Sequence, residues 1–210
     1  MMSRSQFKAE AKVSRWMVPR EWPNERCFVI GGGRSVADQV KIIPRLKGRI
    51  IAIKQSVQLR PDADVMLLAA RDDWFVCRDY FRFYRGPRIV CRSNYPNMPA
   101  GTLYLRRTSC GVYSRDPRLV GGFDAGATAI NLAALFGATE IVVLGMDMVQ
   151  GRWVRNHPTR PLIPDFHFAQ HLEGLQRMAP ELKRDGVKVI NCSPISVVPF
   201  FERRSLKEFV

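Results

Sequence analysis

The stretch "CFVIGGGRSVADQV", Cys27 to Val40, sets three glycines between an apolar run and an amphipathic segment. The apolar run reads as a buried strand, and the residues after the glycines as a helix with Ser35 at its N-cap, closed by Pro44 and Gly48. A strand that passes through Gly31, Gly32 and Gly33 into a helix leaves backbone N–H groups unpaired beside a positive helix terminus. That setting suits phosphate. The dinucleotide version of this grammar needs a small sixth residue and an acidic residue about 20 positions further on. Val36 stands at the first of these positions, and Ile53 and Lys54 stand near the second. A nicotinamide dinucleotide is therefore disfavoured. Two readings stay open: a site for the phosphates of a mononucleotide or nucleotide-activated donor, or a tight turn that needs glycine dihedrals and nothing more.

Outward from this stretch the chain alternates strands and helices. "RIIAIK", "ADVMLLAA", "PRIVCR" and "GTLYLRR" read as further strands, with the helical "DDWFVCRDYFRFYRG" between the second and third of them. "DAGATAINLAALFGA" carries apolar residues at helical spacing and stops at Gly137. "EIVVLGMD" is a buried strand, a helix runs from about Phe166 to Arg184, and "GVKVINC" is a last strand. Buried apolar strands alternating with helices specify an α/β fold: one doubly wound, Rossmann-like, largely parallel sheet with helices on both faces. Its sites lie at the carboxyl ends of the strands. The expected division is a basic N-terminal arm over residues 1–26 and a single domain over 27–210.

With 210 residues, 46% of them hydrophobic and 25% charged, the chain is long enough for one sizeable core. No apolar run approaches the roughly 18–20 residues that cross a bilayer. The N-terminus lacks the apolar segment of a secretory signal, and five scattered cysteines form no C-x-x-C pair. A cytoplasmic location is expected, that of a host cell if the chain is phage-encoded. The 33 Lys and Arg against 19 Asp and Glu give a formal net charge of +14, which favours polyanionic partners. Arg78, Arg82 and Arg85 share one helical face, either as a solvated face or as a surface for DNA or RNA.

Several constellations carry chemistry. Asp124, Ala125 and Gly126 form a turn that enters a helix of small residues, where a ligand or a neighbouring strand can approach. Asp147 follows a strand end, as a ligand for a ribose hydroxyl, a metal or a reacting group, or as an ordinary loop carboxylate. All three histidines, His157, His167 and His171, fall within fifteen residues downstream of Asp147. That concentration fits a site needing an acid or base near neutral pH. The i, i+4 pair His167/His171 lacks the partners of a metal motif, so no metal ligand is assigned.

The order of "VIGGGRS", "RIIAIKQ", "ADVMLLAARDDWF", "GGFDAGATAINLAALFGATEIVVLGMDM", "NHP" and "GVKVINCSPISVVPFF" resembles the Rossmann-like family of archaeal 6-hydroxymethylpterin diphosphokinases, bacterial sialyltransferases and phage-encoded relatives. The resemblance runs from about Cys27 to Phe201. It implies a nucleotide or nucleotide-sugar donor lying across Gly31 to Ser35, the turn near Asp124 and the strand end at Asp147, with Arg34 and Lys54 beside the phosphate. It implies transfer of a sugar or a diphosphate to a hydroxyl acceptor, with one of His157, His167 and His171 as base. Whether such a donor requires Mg is left open by the sequence. The chain departs from the family at Arg34-Ser35, where Pro-Ser is usual, at Lys54-Gln55, where an Asn often follows the strand, and at Asp124-Ala125-Gly126, where Asn-Ser-Gly is usual. An Asp near a phosphate repels it unless Arg34 or Lys54 compensates. The rival expectation is a non-catalytic basic protein that holds nucleic acid or an assembly partner on the same scaffold.

Overall fold

The computed structural model describes residues 16–69, 73, 77–80, 84–91, 98, 100–108, 111–151 and 165–210. Its first five strands are β1 (Arg26–Ile30), β2 (Arg49–Ile53), β3 (Val65–Leu68), β4 (Arg88–Val90) and β5 (Thr102–Tyr104). The short β6 (Arg106–Arg107) and β7 (Leu119–Val120) pair with each other outside the main sheet. Helix α1 (Ala125–Phe136), β8 (Glu140–Leu144), helix α2 (Asp165–Arg184), β9 (Lys188–Asn191) and β10 (Glu202–Arg203) complete the order. The main sheet runs β10-β9-β8-β1-β2-β3-β4-β5, and its pairs are parallel. The protein is an α/β protein of Rossmann-like architecture.

The strand order reverses between β1 and β8. From β1 the chain builds toward β5, and from β8 it builds the other way, so the carboxyl ends of β1 and β8 flank the topological switch point where such sheets bind ligands. Strand residues are apolar on both faces because both faces are covered. Val29, aligned with Ile51 and Val143, lies under α1 and α2 with Leu67, Ile130 and Leu175. Phe28 and Ile50 face the opposite side, with Val36, Ile43, Cys77, Tyr84 and Phe209.

Helix α1 is buried nearly all round, from Ala127 to Ala134, because it lies between the sheet and α2. It starts at Asp124 and stops at Gly137, whose φ of 103° is the left-handed stop that favours glycine. Helix α2 instead buries one stripe, Leu175, Met178 and Leu182. Buried Asn131 anchors the approach to α1: its Oδ1 accepts from the N–H groups of Ser114 and Gly121, and its Nδ2 donates to Ser114 O. Ahead of β1, Val18 and Trp22 are already buried, and Trp22 stacks on Phe136 at 4.0 Å.

The helix expected after the glycines does not form as an α-helix. Residues Arg34–Gln39 and Ile43–Arg45 are 3-10 turns, and Ser35 lies inside the first of them rather than capping it. The burial of Ser35, Val36, Gln39 and Ile43 keeps the helical spacing the sequence displays. The N–H and hydroxyl of Ser35 also bond Asp147; the spacing survives in 3-10 rather than α-helical turns. Among the described residues no helix is long and apolar enough to cross a membrane.

Candidate functional site

The glycine turn and the end of β8 are tied together. Gly31 N–H donates to Leu144 O at 2.8 Å and Gly33 N–H to Gly145 O at 3.0 Å. Ser35 donates its N–H to Asp147 Oδ2 at 2.9 Å and its hydroxyl to Oδ1 at 2.5 Å. Asp147 is 2% exposed. The donors that suit a phosphate on sequence grounds thus hold a carboxylate of the chain itself. The glycines are needed for this approach: a Cβ on Gly33 would lie 2.6 Å from the Asp147 carboxyl carbon. Val36 has its room from the other partner, since a Cβ on Gly145 would lie 2.5 Å from Val36 Cγ2. The small residue that the dinucleotide grammar asks of position 36 is supplied by β8 instead. Gly32 is exposed, and no atom lies within 4 Å of where its Cβ would stand. Arg34 is also exposed, its stem lying against Gly151.

One strand over, Ser56 donates to Gly31 O at 2.6 Å and so joins the β2 end to the glycine turn. Lys54, two residues earlier, has a φ of 56°, a left-handed conformation that costs a non-glycine residue roughly 1–2 kcal/mol. Met148, past the end of β8, is left-handed too, at 54°. Such positions concentrate at functional edges, where the surroundings hold them. Lys54 Nζ meets Asp73 Oδ1 at 2.9 Å, and Asp73 is almost fully buried. Arg107 bridges the β3 end and the approach to α1, donating to Ala69 O at 3.3 Å and to Phe123 O at 3.0 Å.

Asp124 is the N-cap of α1. Its Oδ1 accepts from Gly126 N–H at 2.6 Å and Ala127 N–H at 3.1 Å, the arrangement that satisfies orphan helix donors. Its Oδ2 is buried without a hydrogen-bond partner among the described residues. Ala125 opens α1. The small Gly126 admits the neighbouring strand end, as a Cβ there would lie 2.7 Å from Met146 Cε. His171, half-buried on α2, lies across from Asp124. Burial lowers its pKa from the ordinary 6.5; Asp124 acts to raise it, and His167, Arg107 and Lys54 act to lower it. The rings of His167 and His171 are 6.3 Å apart, and Phe166 covers His167 at 4.2 Å.

The structure therefore brings Lys54, Asp124 and His171, flanked by His167, to one part of the carboxyl edge, beside the glycine turn. Asp73 and Arg107 join them; the sequence placed the first only within a helical segment and the second only in a strand. Asp147 sits inside the seam, bound to Ser35. His157 and Arg82 lie outside the described residues. Arg78 and Arg85 are exposed, with Arg78 3.8 Å from Asp79. Burial pushes the thiols of Cys77, Cys91 and Cys192 up to about 12, which leaves them inert as nucleophiles at neutral pH. Among the described residues no three His, Cys, Asp or Glu gather as metal ligands.

No protein-family model matches the chain, and no curated protein sequence does. Among solved structures it is similar to the sialyltransferase CstII from Campylobacter jejuni, determined in complex with the substrate analogue cytidine-5'-monophosphate. The TM-score is 0.53 with 11% identity, over 88% of this chain and 86% of that one. A second structure of the sialyltransferase CST-II, with a trisaccharide acceptor and CMP, aligns at a TM-score of 0.46 and 12% identity over 84% of each chain. At this level of identity, the first of these likenesses concerns the fold.

Proposed function

We propose that the domain over residues 27–210 is a nucleotide-dependent transferase that moves a glycosyl group from a nucleotide-activated donor to a hydroxyl acceptor. The observation that carries this reading is His171: an imidazole kept neutral by burial, on a carboxyl edge that also holds Lys54 and the open turn at Gly32. A neutral imidazole accepts a proton at physiological pH, which is what a hydroxyl acceptor requires of its base. The fold likeness to a sialyltransferase crystallised with a nucleotide supports a nucleotide-bearing donor. In this reading the donor lies over Gly32, where the surface is open, with its phosphate toward Lys54, and His167 flanks the base. Diphosphoryl transfer, as in the pterin diphosphokinases, uses the same groups with a nucleoside triphosphate as donor.

A thermal-shift panel of CMP, CDP, UDP, ATP and nucleotide-sugars tests this. Binding to the native state raises Tm by mass action. A nucleotide in the panel is expected to stabilise the wild type and to lose that effect in Gly32→Trp, at an exposed position where an added Cβ meets no described atom within 4 Å beyond its chain neighbours. Failure of every nucleotide to stabilise the protein overturns the reading, and a shift unaltered in Gly32→Trp overturns the placement of the donor.

One observation favours the second reading, a basic nucleic-acid-binding or assembly protein without catalysis. Asp147 already occupies the donors of Ser35, while Arg78 and Arg85 stand exposed on a chain of net charge +14. DNA or RNA binding that weakens steeply with salt, together with a flat nucleotide panel, is the outcome that would establish it.

A further inference from the structure

We infer that Asp124 is the charge partner of His171, its uncapped carboxylate oxygen orienting the imidazole and stabilising it as it takes up a proton. The inference rests on the transferase reading for its purpose, but not for its geometry. Asp124 already caps α1 through Oδ1, and an asparagine would cap as well. The cap therefore does not require a charge. The remaining oxygen, Oδ2, is buried and unpartnered among the described residues.

Helix α2 packs beside the start of α1. Gly174 packs directly on the ring of Phe123, the residue before Asp124: a Cβ on Gly174 would lie 2.4 Å from Phe123 Cδ2. His171 is one helical turn earlier on the same face of α2, within reach of the Asp124 charge. The charged and titratable groups acting on His171 are Asp124, His167, Arg107 and Lys54. Two of these have other attachments, Lys54 to Asp73 and Arg107 to the carbonyls of Ala69 and Phe123. Asp124 is the sole anion of the four. A catalytic hydrogen bond that is absent without substrate commonly tightens when the reacting complex forms.

In the transfer step the acceptor O–H proton passes to the imidazole, and the freed oxygen pair attacks the donor's anomeric carbon. The bond from that carbon to the nucleotide phosphate breaks with its electron pair on the phosphate oxygen. The imidazole ends as imidazolium beside a carboxylate, so Asp124 favours the proton-accepting direction while burial keeps His171 neutral beforehand. Asp124 is thus a positioning residue that acts through His171.

The test is an NMR titration of the histidine ring protons in the wild type, Asp124→Asn and Asp124→Ser, with His171→Gln to assign the His171 signal. Both substituted residues cap helices, so α1 is expected to hold in each. Losing the carboxylate is expected to move the His171 titration to lower pH by roughly half a pH unit or more. A His171 that titrates at the same pH in folded Asp124→Asn or Asp124→Ser overturns the pairing. That result with an intact nucleotide response overturns the pairing alone. A titration that moves in a protein without nucleotide response supports the pairing and overturns the transferase reading alone.

Discussion

Replacing Ser35 by alanine removes one of the two hydrogen bonds that hold the Asp147 carboxylate, while leaving the backbone N–H in place. Hydrogen bonds to charged groups contribute about 1.5–3 kcal/mol, and Asp147, at 2% exposure, has no water to replace the lost donor. In a chain of 210 residues each kcal/mol shifts Tm by about 2–4 °C, so a fall of roughly 3–12 °C is expected. Chemical denaturation is the assay, read as a lowered midpoint at unchanged slope. A double-mutant cycle with Asp147→Asn should return a coupling of about 1–2 kcal/mol. Asp147→Ala carries the reasoning further, because it leaves both Ser35 donors facing a carboxylate-sized gap. Inorganic phosphate should then stabilise that variant more than the wild type. The account of the seam is refuted if Ser35→Ala stays within about 0.5 kcal/mol of the wild type, or if phosphate treats Asp147→Ala and the wild type alike.

Gly145→Ala places a Cβ 2.5 Å from Val36 Cγ2 at a φ of 65°, and a loss of about 2–4 kcal/mol is expected from strain and overpacking together. Adding Val36→Ala should relieve the closest contact but not those with Gly33 N at 3.0 Å and Gly31 C at 3.1 Å, measured as a smaller loss than the sum of the two single variants. For His171 the folded pKa lies below 6.5, so the unfolded chain binds the proton first as pH falls. The stabilising effect of keeping this side chain neutral is complete above pH 6.5 and declines below it, down to the lowered folded value. His171→Gln should therefore flatten the stability profile on the acid side of pH 6.5, and an unchanged profile would contradict the burial assigned to this ring.

The sheet was legible because its strands are buried on both faces, so runs such as "CFVI" and "EIVVL" are apolar without alternation. Helix α1 was equally plain from its spacing and from Gly137. The segment after the glycines misled for a physical reason. Its apolar spacing suits 3-10 turns as well as an α-helix, and the partner of the Ser35 donors lies 112 positions away in sequence, where no local pattern encodes it. The same holds for the site. Lys54 stood out by its position at a strand end, Asp124 by its turn at a helix start, and His171 by residue type. Arg107 did not, since its role depends on the carbonyls of Ala69 and Phe123, and its neighbours in sequence read only as an edge strand. The small start of α1 left a choice between a ligand and a neighbouring strand, and Met146 decides it for the strand at Gly126.

The Ser35–Asp147 contact also bears on where a ligand can lie. In a doubly wound sheet the crevice opens where the strand order reverses, here between β1 and β8. In this chain two backbone bonds and a buried carboxylate close that seam, and Val36 fills the space above Gly145. The part of the edge left open begins at Gly32 and runs toward Lys54, where the β2 end is joined to the glycine turn through Ser56. The left-handed Lys54 and the unpartnered oxygen of Asp124 both lie on that side. Each costs stability, by a strained dihedral or an unmet hydrogen bond, and the seam gains nothing from either. Such costs persist where a ligand or a reacting proton makes use of them. In the proposed transferase the donor therefore lies away from the β1/β8 seam, toward β2 and β3, on the side where Arg107 and Lys54 act on His171.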